Sequence, residues 1–408
     1  MVPDEKADPG VTTVRAPRSR TRDARWRGAL ELLSELRREP GLTRVEAARR
    51  AGLSSGSATE IATRLRAIDL VSEVPAPITG RGRPTTTLQP HPRGPLVVAF
   101  DVRHEDWRCA IVPLDGRPQM VIARPHGPSD AFALVQDIAA VLARLRRRHG
   151  RRLRAVSVAV AGTVERGRLV QVATLGWGAV DLETILGGLD IPLLIGNDAT
   201  LAGLAEARHG AGVGSLTVLH LTVEVGIGGV LVVDQVPVAG SSGAGGEYGH
   251  LPFGDRRLRC PCGARGCWDL EVDGRALARH LGEPPPADPR RYARLVLAEV
   301  AEEGDGQARR AVRTVAVALA SGIAGLVNAH DPDVVTLGAL AGEIRAVARP
   351  EFDAAYMAGL MGFRRRQPTP LVPAALGEEG ALLGAAAAAL DVVLSEQGLR
   401  DWAAARAS

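Results

Sequence analysis

Aromatic residues make up only 3% of this 408-residue chain, and lysine is almost missing: Lys6 is the only one among 50 basic side chains. With so few rings, a core has to be assembled from Ala, Val, Leu and Ile, and an apolar fraction of 46% can supply one. The shortage of lysine makes nearly every positive charge an arginine, which points to a GC-rich genome more than to a mechanism. No apolar run reaches the roughly 18 residues that a bilayer-spanning helix needs, so no membrane partner is expected. Cysteine is scarce as well. The chain has four, with no second cysteine-rich region and no signal peptide, and the expected compartment is a reducing cytoplasm.

Three of those four cysteines lie close together. Cys260, Cys262 and Cys267 are spaced C-x-C-x4-C, and His250 stands ten residues upstream. Three thiolates and an imidazole make a closed tetrahedral set for Zn2+, and a closed set is structural because no position is left for substrate. Gly263 and Gly266 let the chain fold back so that Cys262 and Cys267 reach one ion, while Pro261 stiffens the arm between the first two sulfurs. The competing readings are a disulfide and a chance cluster of buried thiols. The reducing compartment weighs against the first, and the spacing and glycine placement against the second.

Charge is unevenly placed. The whole chain carries +4, but residues 15 to 93 hold sixteen Arg against eight Asp or Glu, a local +8. Such asymmetry suits a nucleic-acid module joined to a neutral or acidic domain. Residues 1–22 lack apolar periodicity and read as a disordered basic arm. From Trp26 to Arg38 apolar residues recur at helical spacing, and Pro40-Gly41 stops the helix. Thr43 and Glu46 have the form of a capping box for a second helix with Val45, Ala47, Ala48 and Ala51 on its apolar face. Ser54 or Ser55 caps a third helix buried through Ala58, Ile61, Ala62, Leu65 and Ile68. Its other side carries Ser55, Ser57, Thr59 and Arg64, small polar groups and a cation near where base edges would be met. Two short strands follow, around 70–74 and 85–88. The loop between them places Arg81 and Arg83 among glycines, as a wing entering a narrow minor groove would. Residues 23–90 therefore read as a winged helix-turn-helix for double-stranded operator DNA. A plain three-helix packing module is the bland alternative.

The prolines between 90 and 95 mark a domain boundary, and 95–400 reads as a second domain. Apolar β runs at 96–101, 108–112, 153–160, 193–195, 216–223, 230–233 and 334–337 alternate with amphipathic helices, the pattern of an α/β domain with mixed sheets. The basic end of the helix at 132–148 reads as a solvated face.

Gly246-Glu247-Tyr248-Gly249-His250 followed by Cys-Pro-Cys-Gly-Ala-Arg-Gly-Cys resembles the ROK family of repressors and sugar kinases. The likeness extends over nearly everything after residue 95. It includes Gly196-Asn197-Asp198-Ala199 with Glu206, a glycine turn Gly226-Ile227-Gly228-Gly229, Asn328 with Asp331-Pro332-Asp333, and Leu383-Gly384-Ala385. The resemblance implies an α/β actin-like (ribonuclease H-like) two-lobed sugar-binding domain preceded by an all-α winged helix-turn-helix, with structural zinc at 250–267, assembled as a homodimer or homotetramer. It also implies sugar contacts from Asn197, Asp198, Glu247, His250 and Asp269. His250 would serve both metal and sugar, and Asp269 stands where the family usually has Glu.

In the family's kinases Asp198 would be the general base. The phosphate turns, however, depart from the pattern. Where D-x-G-G-T is usual, this chain has Asp101-Val102-Arg103-His104-Glu105; where G-T-G-I-G is usual, it has Glu224-Val225-Gly226-Ile227-Gly228; and Gly338-Ala339 keeps one glycine of two. A backbone carrying Cβ atoms and carboxylates is a poor cradle for phosphate. The expectation is a regulator that answers to a sugar or sugar phosphate and has no catalytic residue in use. The alternatives are a sugar kinase fused to a DNA-binding domain, in which Asp198 is catalytic, and a DNA-binding protein whose cleft serves only dimerisation.

Overall fold

The structure is a computed structural model that describes residues 20–39, 41–75, 86–126, 131–172, 180, 182, 190–302 and 306–407. It divides into two compact units, one of Met1–Gln89 with Leu394–Ser408, the other of Pro90–Val393.

The first unit holds α1 (Arg20–Arg38), α2 (Arg44–Arg50), α3 (Ser55–Ala67) and the two-stranded pair β1 (Val71–Pro75) and β2 (Thr86–Pro90). The capping box is present: the Thr43 hydroxyl accepts from the Glu46 amide, and the Glu46 carboxylate accepts from the Thr43 amide. Ser54, not Ser55, caps α3, by accepting from the Ser57 amide. Trp26, Leu32, Leu33, Ala47, Ala58 and Leu65 are buried. Val45, expected on the apolar face of α2, is 71% exposed, because so short a helix buries only Ala47 and Ala48. Helix α1 starts at Arg20, so the last three residues of the expected arm are helical; residues 1–19 lie outside the described residues. The last helix of the chain, Glu396–Ala407, also belongs to this unit, although 95–400 was expected as one domain. Trp402 explains why: it is buried, and its indole N–H donates to the Ile68 carbonyl at 2.7 Å, while Arg406 pairs with Asp69.

The second unit is the actin-like α/β domain, with one five-stranded sheet in each lobe. In the first lobe, β3 (Leu96–Val102), β4 (Asp106–Val112), β5 (Gln119–Pro125), β6 (Leu153–Val160) and β9 (Leu193–Asn197) lie in the order β5-β4-β3-β6-β9, and a small pair, β7 (Thr163–Glu165) and β8 (Arg168–Gln171), follows β6. Every residue of β3 is buried, as befits a central strand covered on both faces. One cover is α4 (Ala131–His149), which buries Leu134, Ile138, Leu142 and Leu145 against β3 and β6. In the second lobe, β10 (Thr217–Glu224), β11 (Gly226–Val233), β12 (Val236–Pro237), β13 (Val334–Ala339) and β14 (Leu371–Pro373) take the order β12-β11-β10-β13-β14. Strands β3, β6 and β9 run parallel with Val102, Val160 and Asn197 in register, and β10 and β13 run parallel with Val223 beside Ala339. The cleft opens at these carboxyl ends, where loops are free to carry function.

Helix α5 (Asp198–His209) leaves β9 for the cleft and packs on β10 and β11. The expected glycine turn at 226–229 is instead the start of β11, with only Val225 left at the hairpin tip. Close packing is the reason for the glycines: a Cβ at Gly228 would stand 2.4 Å from the Ala199 Cβ of α5. Beneath the second sheet are α6 (Gly274–Leu281), α7 (Pro289–Glu302), α8 (Gln307–His330), α9 (Leu340–Val347) and α10 (Arg349–Gly359); α11 (Gly380–Val393) crosses back onto β3 and β6, and α12 is the Glu396–Ala407 helix. Among the described residues α8 is the single helix long and apolar enough by length and composition to cross a bilayer, which the run-length criterion did not register. It is a core helix here, with 61% of its apolar window buried and Val312, Val315, Leu319, Ile323 and Val327 inside the second lobe.

Candidate functional site

The five residues expected to hold a sugar are brought to one cavity of about 200 Å³, lined also by Asp101, Arg103, Glu224 and Glu378. Asn197 caps α5: its Oδ1 accepts from the Thr200 amide at 3.0 Å, and its Nδ2 donates to the Gly162 carbonyl at 3.0 Å. That double tether fixes the strand-to-helix corner and so aims the next residue, Asp198, into the cleft. Loss of water around Asp198, with Glu224 and Asp101 adding repulsion, pushes its carboxyl up to about 7, against hydrogen bonding from the Ala199 amide. A carboxyl poised there accepts or gives up a proton near neutrality.

The opposite wall is built by the cysteine knuckle. His250 Nδ1 lies 3.8 Å from Cys260 Sγ, and Cys262 Sγ lies 3.7 Å from Cys267 Sγ. All four donor atoms fall within 4.8 Å of one another. Sulfurs on a tetrahedral zinc with bonds of about 2.3 Å stand about 3.8 Å apart, so the donor set fits that ion in both chemistry and spacing. Gly263 at φ +97 and Gly266 at φ +71 make the folded-back turns that side chains resist. The knuckle is anchored in the core by the next residue, Trp268, which is buried and donates its indole N–H to the Ala318 carbonyl of α8 at 3.0 Å.

With Nδ1 turned to the sulfurs, His250 shows Nε2 to Glu247, whose carboxylate is 3.7 Å away. Glu247 is exposed to the cleft. Asp269 is tucked in more deeply: Oδ1 accepts from the Ile227 amide at 2.6 Å, and Oδ2 is 3.6 Å from His250 Nδ1. The shorter side chain thus braces the β10–β11 hairpin against the histidine, and one of its oxygens is already engaged.

Sequence reasoning missed a set of arginines. Arg290 of α7, 8% exposed, places its guanidinium 2.7 Å from Glu378, 3.2 Å from Glu224 and 3.8 Å from Glu105. Arg103 pairs with Asp106 and, at 3.2 Å, with Glu378. Arg108 donates to buried Asp101 at 2.7 Å and to Glu379 at 2.6 Å, and also reaches the Glu378 carbonyl. Glu105 and Glu224, the acids in the two altered glycine turns, therefore meet on a single cation. The only hint in the sequence was that both substitutions were acidic, which calls for a base nearby; nothing in the spacing named Arg290.

In the first unit Ser55, Ser57 and Thr59 of α3 are exposed, and Arg64 is half-buried on a Glu60 pair at 2.8 Å. Thr59 donates its hydroxyl to the Ser55 carbonyl, and the Ser57 hydroxyl accepts from Ser54. Arg81 and Arg83 lie outside the described residues.

The two lobes, the carboxylate-lined cleft between them and the Cys3His knuckle together make the two-lobed sugar-kinase fold. The chain belongs to the ROK family, whose model matches residues 105–392. Its relatives include an N-acetylmannosamine kinase of Yersinia pseudotuberculosis, 30% identical over 299 residues that cover 71% of this chain and 96% of that protein. A glucokinase of Streptomyces coelicolor is 27% identical over 276 residues, covering 64% of this chain and 86% of its own. Among solved structures, a ROK family transcriptional regulator described as a homolog of the E. coli MLC protein superposes with a TM-score of 0.73 at 18% identity, covering 93% of this chain and 99% of its own; at that identity the likeness concerns the fold.

Proposed function

We propose that the protein is a sugar-responsive, DNA-binding transcriptional regulator, a repressor of carbohydrate uptake or metabolism genes, with a sugar or sugar phosphate as effector and no kinase activity. The observation that carries this reading is the meeting of Glu105 and Glu224 on Arg290. In the family's kinases the two turns bearing these positions offer backbone amides to nucleotide phosphates; here they offer carboxylates that share one arginine. Asn197, Asp198, Glu247 and His250 line the cleft, and the hydrogen-bonding capacity they have left serves hydroxyl recognition, where paired acceptors and donors discriminate strongly between sugars. Zinc held by His250, Cys260, Cys262 and Cys267 keeps one wall of that pocket rigid. Ser55, Ser57, Thr59 and Arg64 of α3, with Arg81 and Arg83, contact operator DNA, and a homodimer or homotetramer in the cytoplasm presents paired helices to two half-sites. Sugar binding changes the angle between the lobes and hence the spacing of those helices.

The test is DNA binding measured with a panel of sugars and sugar phosphates, alongside a coupled ATPase assay on the same panel. Regulation without turnover supports the reading, and phosphorylation of any sugar defeats it. Arg81→Ala with Arg83→Ala weakens operator binding; unchanged affinity removes the wing from the account. One observation favours the second reading, a sugar kinase fused to a DNA-binding domain: Asp198 sits in the cleft with its carboxyl near 7, where a general base would be wanted, and two of the relatives carry kinase names.

A further inference from the structure

The second unit carries a strongly basic patch that neither the cleft nor the helix-turn-helix uses. Seven arginines fall between 144 and 154, and no Asp or Glu occurs between Asp137 and Glu165. They cover the end of α4, the short 3-10 turn Gly150–Arg152 and the first residues of β6. Arginine in a last helical turn is favoured by the helix dipole, which accounts for one or two of them and not for a cluster that runs on into the turn and the strand. Arg144, Arg147, Arg148 and Arg151 are exposed. Two neighbouring histidines feel this charge: His149 is held below its usual range by burial and then by Arg152 and Arg148, and His91 by burial and then by Arg93 and Arg152. The patch also has a definite place in the domain. Arg152 donates to the Gly94 carbonyl at 3.0 Å and to the Pro92 carbonyl at 2.7 Å, so this arginine of the patch lies against the first residues of the unit.

We infer that this face is a second, sequence-independent contact for the sugar-phosphate backbone of duplex DNA. The inference rests on the DNA-binding reading above. Guanidinium groups exposed on this face pair with phosphates of the duplex, and each phosphate neutralised releases condensed counterions. The contact adds affinity and salt dependence but no base preference, since phosphates carry no sequence information directly.

The experiment uses the full-length protein with Arg147→Gln, Arg148→Gln and Arg151→Gln combined. A control changes Arg291, Arg310 and Arg366, exposed arginines of the other lobe, in the same way. Binding to DNA selected from a random pool, and to an unrelated duplex, is followed against salt. Each lost phosphate contact lowers the magnitude of the log-log slope by about 0.9, so the patch variant loses about 2 to 3 in slope, weakens equally on both duplexes and keeps its specificity ratio, while the control keeps the wild-type slope. A patch variant with the wild-type slope, or one matched by the control, overturns the inference and leaves the DNA-binding reading standing. Wild-type protein that binds neither duplex at low salt overturns both.

Discussion

The Arg290 guanidinium lies 3.2 Å from the Glu224 carboxylate and reaches Glu105 on the facing turn at 3.8 Å. The two lobes are thus joined across the mouth of the cleft by a side chain that is itself buried while its partners are partly exposed.

Arg290→Met removes the shared cation and leaves Glu105, Glu224 and Glu378 facing one another. Complete burial of the pairs would make that cost 3–5 kcal/mol; with the acids partly in water, about 2 kcal/mol is expected, read as a fall in the melting temperature of the larger unit. Adding Glu105→Gln and Glu224→Gln to the same chain recovers part of the loss. A triple variant no more stable than the single one contradicts the clasp.

Zinc removal affects sugar before it affects DNA. A chelator, or Cys262→Ser, frees the wall formed by His250 and Glu247, so sugar affinity falls at least about tenfold, about 1.4 kcal/mol, while the helix-turn-helix stays folded. Metal analysis of the untreated protein gives one zinc per chain, and calorimetry with and without chelator checks the rest.

Asp198 makes stability depend on pH. Its carboxyl is raised to about 7 in the folded chain from an ordinary 3.8, so the native state holds a proton that the unfolded chain has released. The contribution is fully present below about pH 4 and is lost as pH rises through about 7. Asp198→Asn abolishes that slope and makes the protein more stable than wild type at pH 8, by about 2 kcal/mol after allowance for the water that reaches the site. Melting temperatures of the two proteins from pH 5 to pH 8 show the difference.

Trp402 ties the end of the chain to the helix-turn-helix unit through the Ile68 carbonyl and its own burial. Trp402→Ala costs that unit about 3 kcal/mol, the usual range for a buried aromatic, and leaves the larger unit unchanged. Two calorimetric transitions, of which only one moves, are the expected record.

Local chemistry was legible in the sequence wherever one short segment decides the structure. The capping box at Thr43 and Glu46, the cysteine spacing at 260–267 and the apolar strand at 96–101 are each written in a short stretch of neighbouring residues, and each is found. What depends on distant partners was not legible. Glycines 226–229 looked like a turn because the reason for them is α5, which presses Ala199 against Gly228. Trp402 gave no sign of its place with α3, since 334 residues separate it from Ile68. Arg290 was one arginine among many, and only the fold brings it to Glu105 and Glu224. The residues proposed to hold a sugar were read from a family pattern; the structure adds that Asn197 and Asp269 spend much of their hydrogen-bonding capacity on the Thr200 and Ile227 amides and the Gly162 carbonyl.

The central claim is that the cleft senses a sugar and transmits it to DNA. Its most direct test is the DNA affinity of the zinc-loaded, full-length protein with and without each member of a sugar and sugar phosphate panel, with ATP present and its hydrolysis recorded. The account predicts at least one ligand that changes DNA affinity by about 5- to 150-fold, equivalent to about 1–3 kcal/mol of coupling, with no ATP consumed. A sugar that binds the cleft and is phosphorylated, while DNA affinity stays the same, would contradict it.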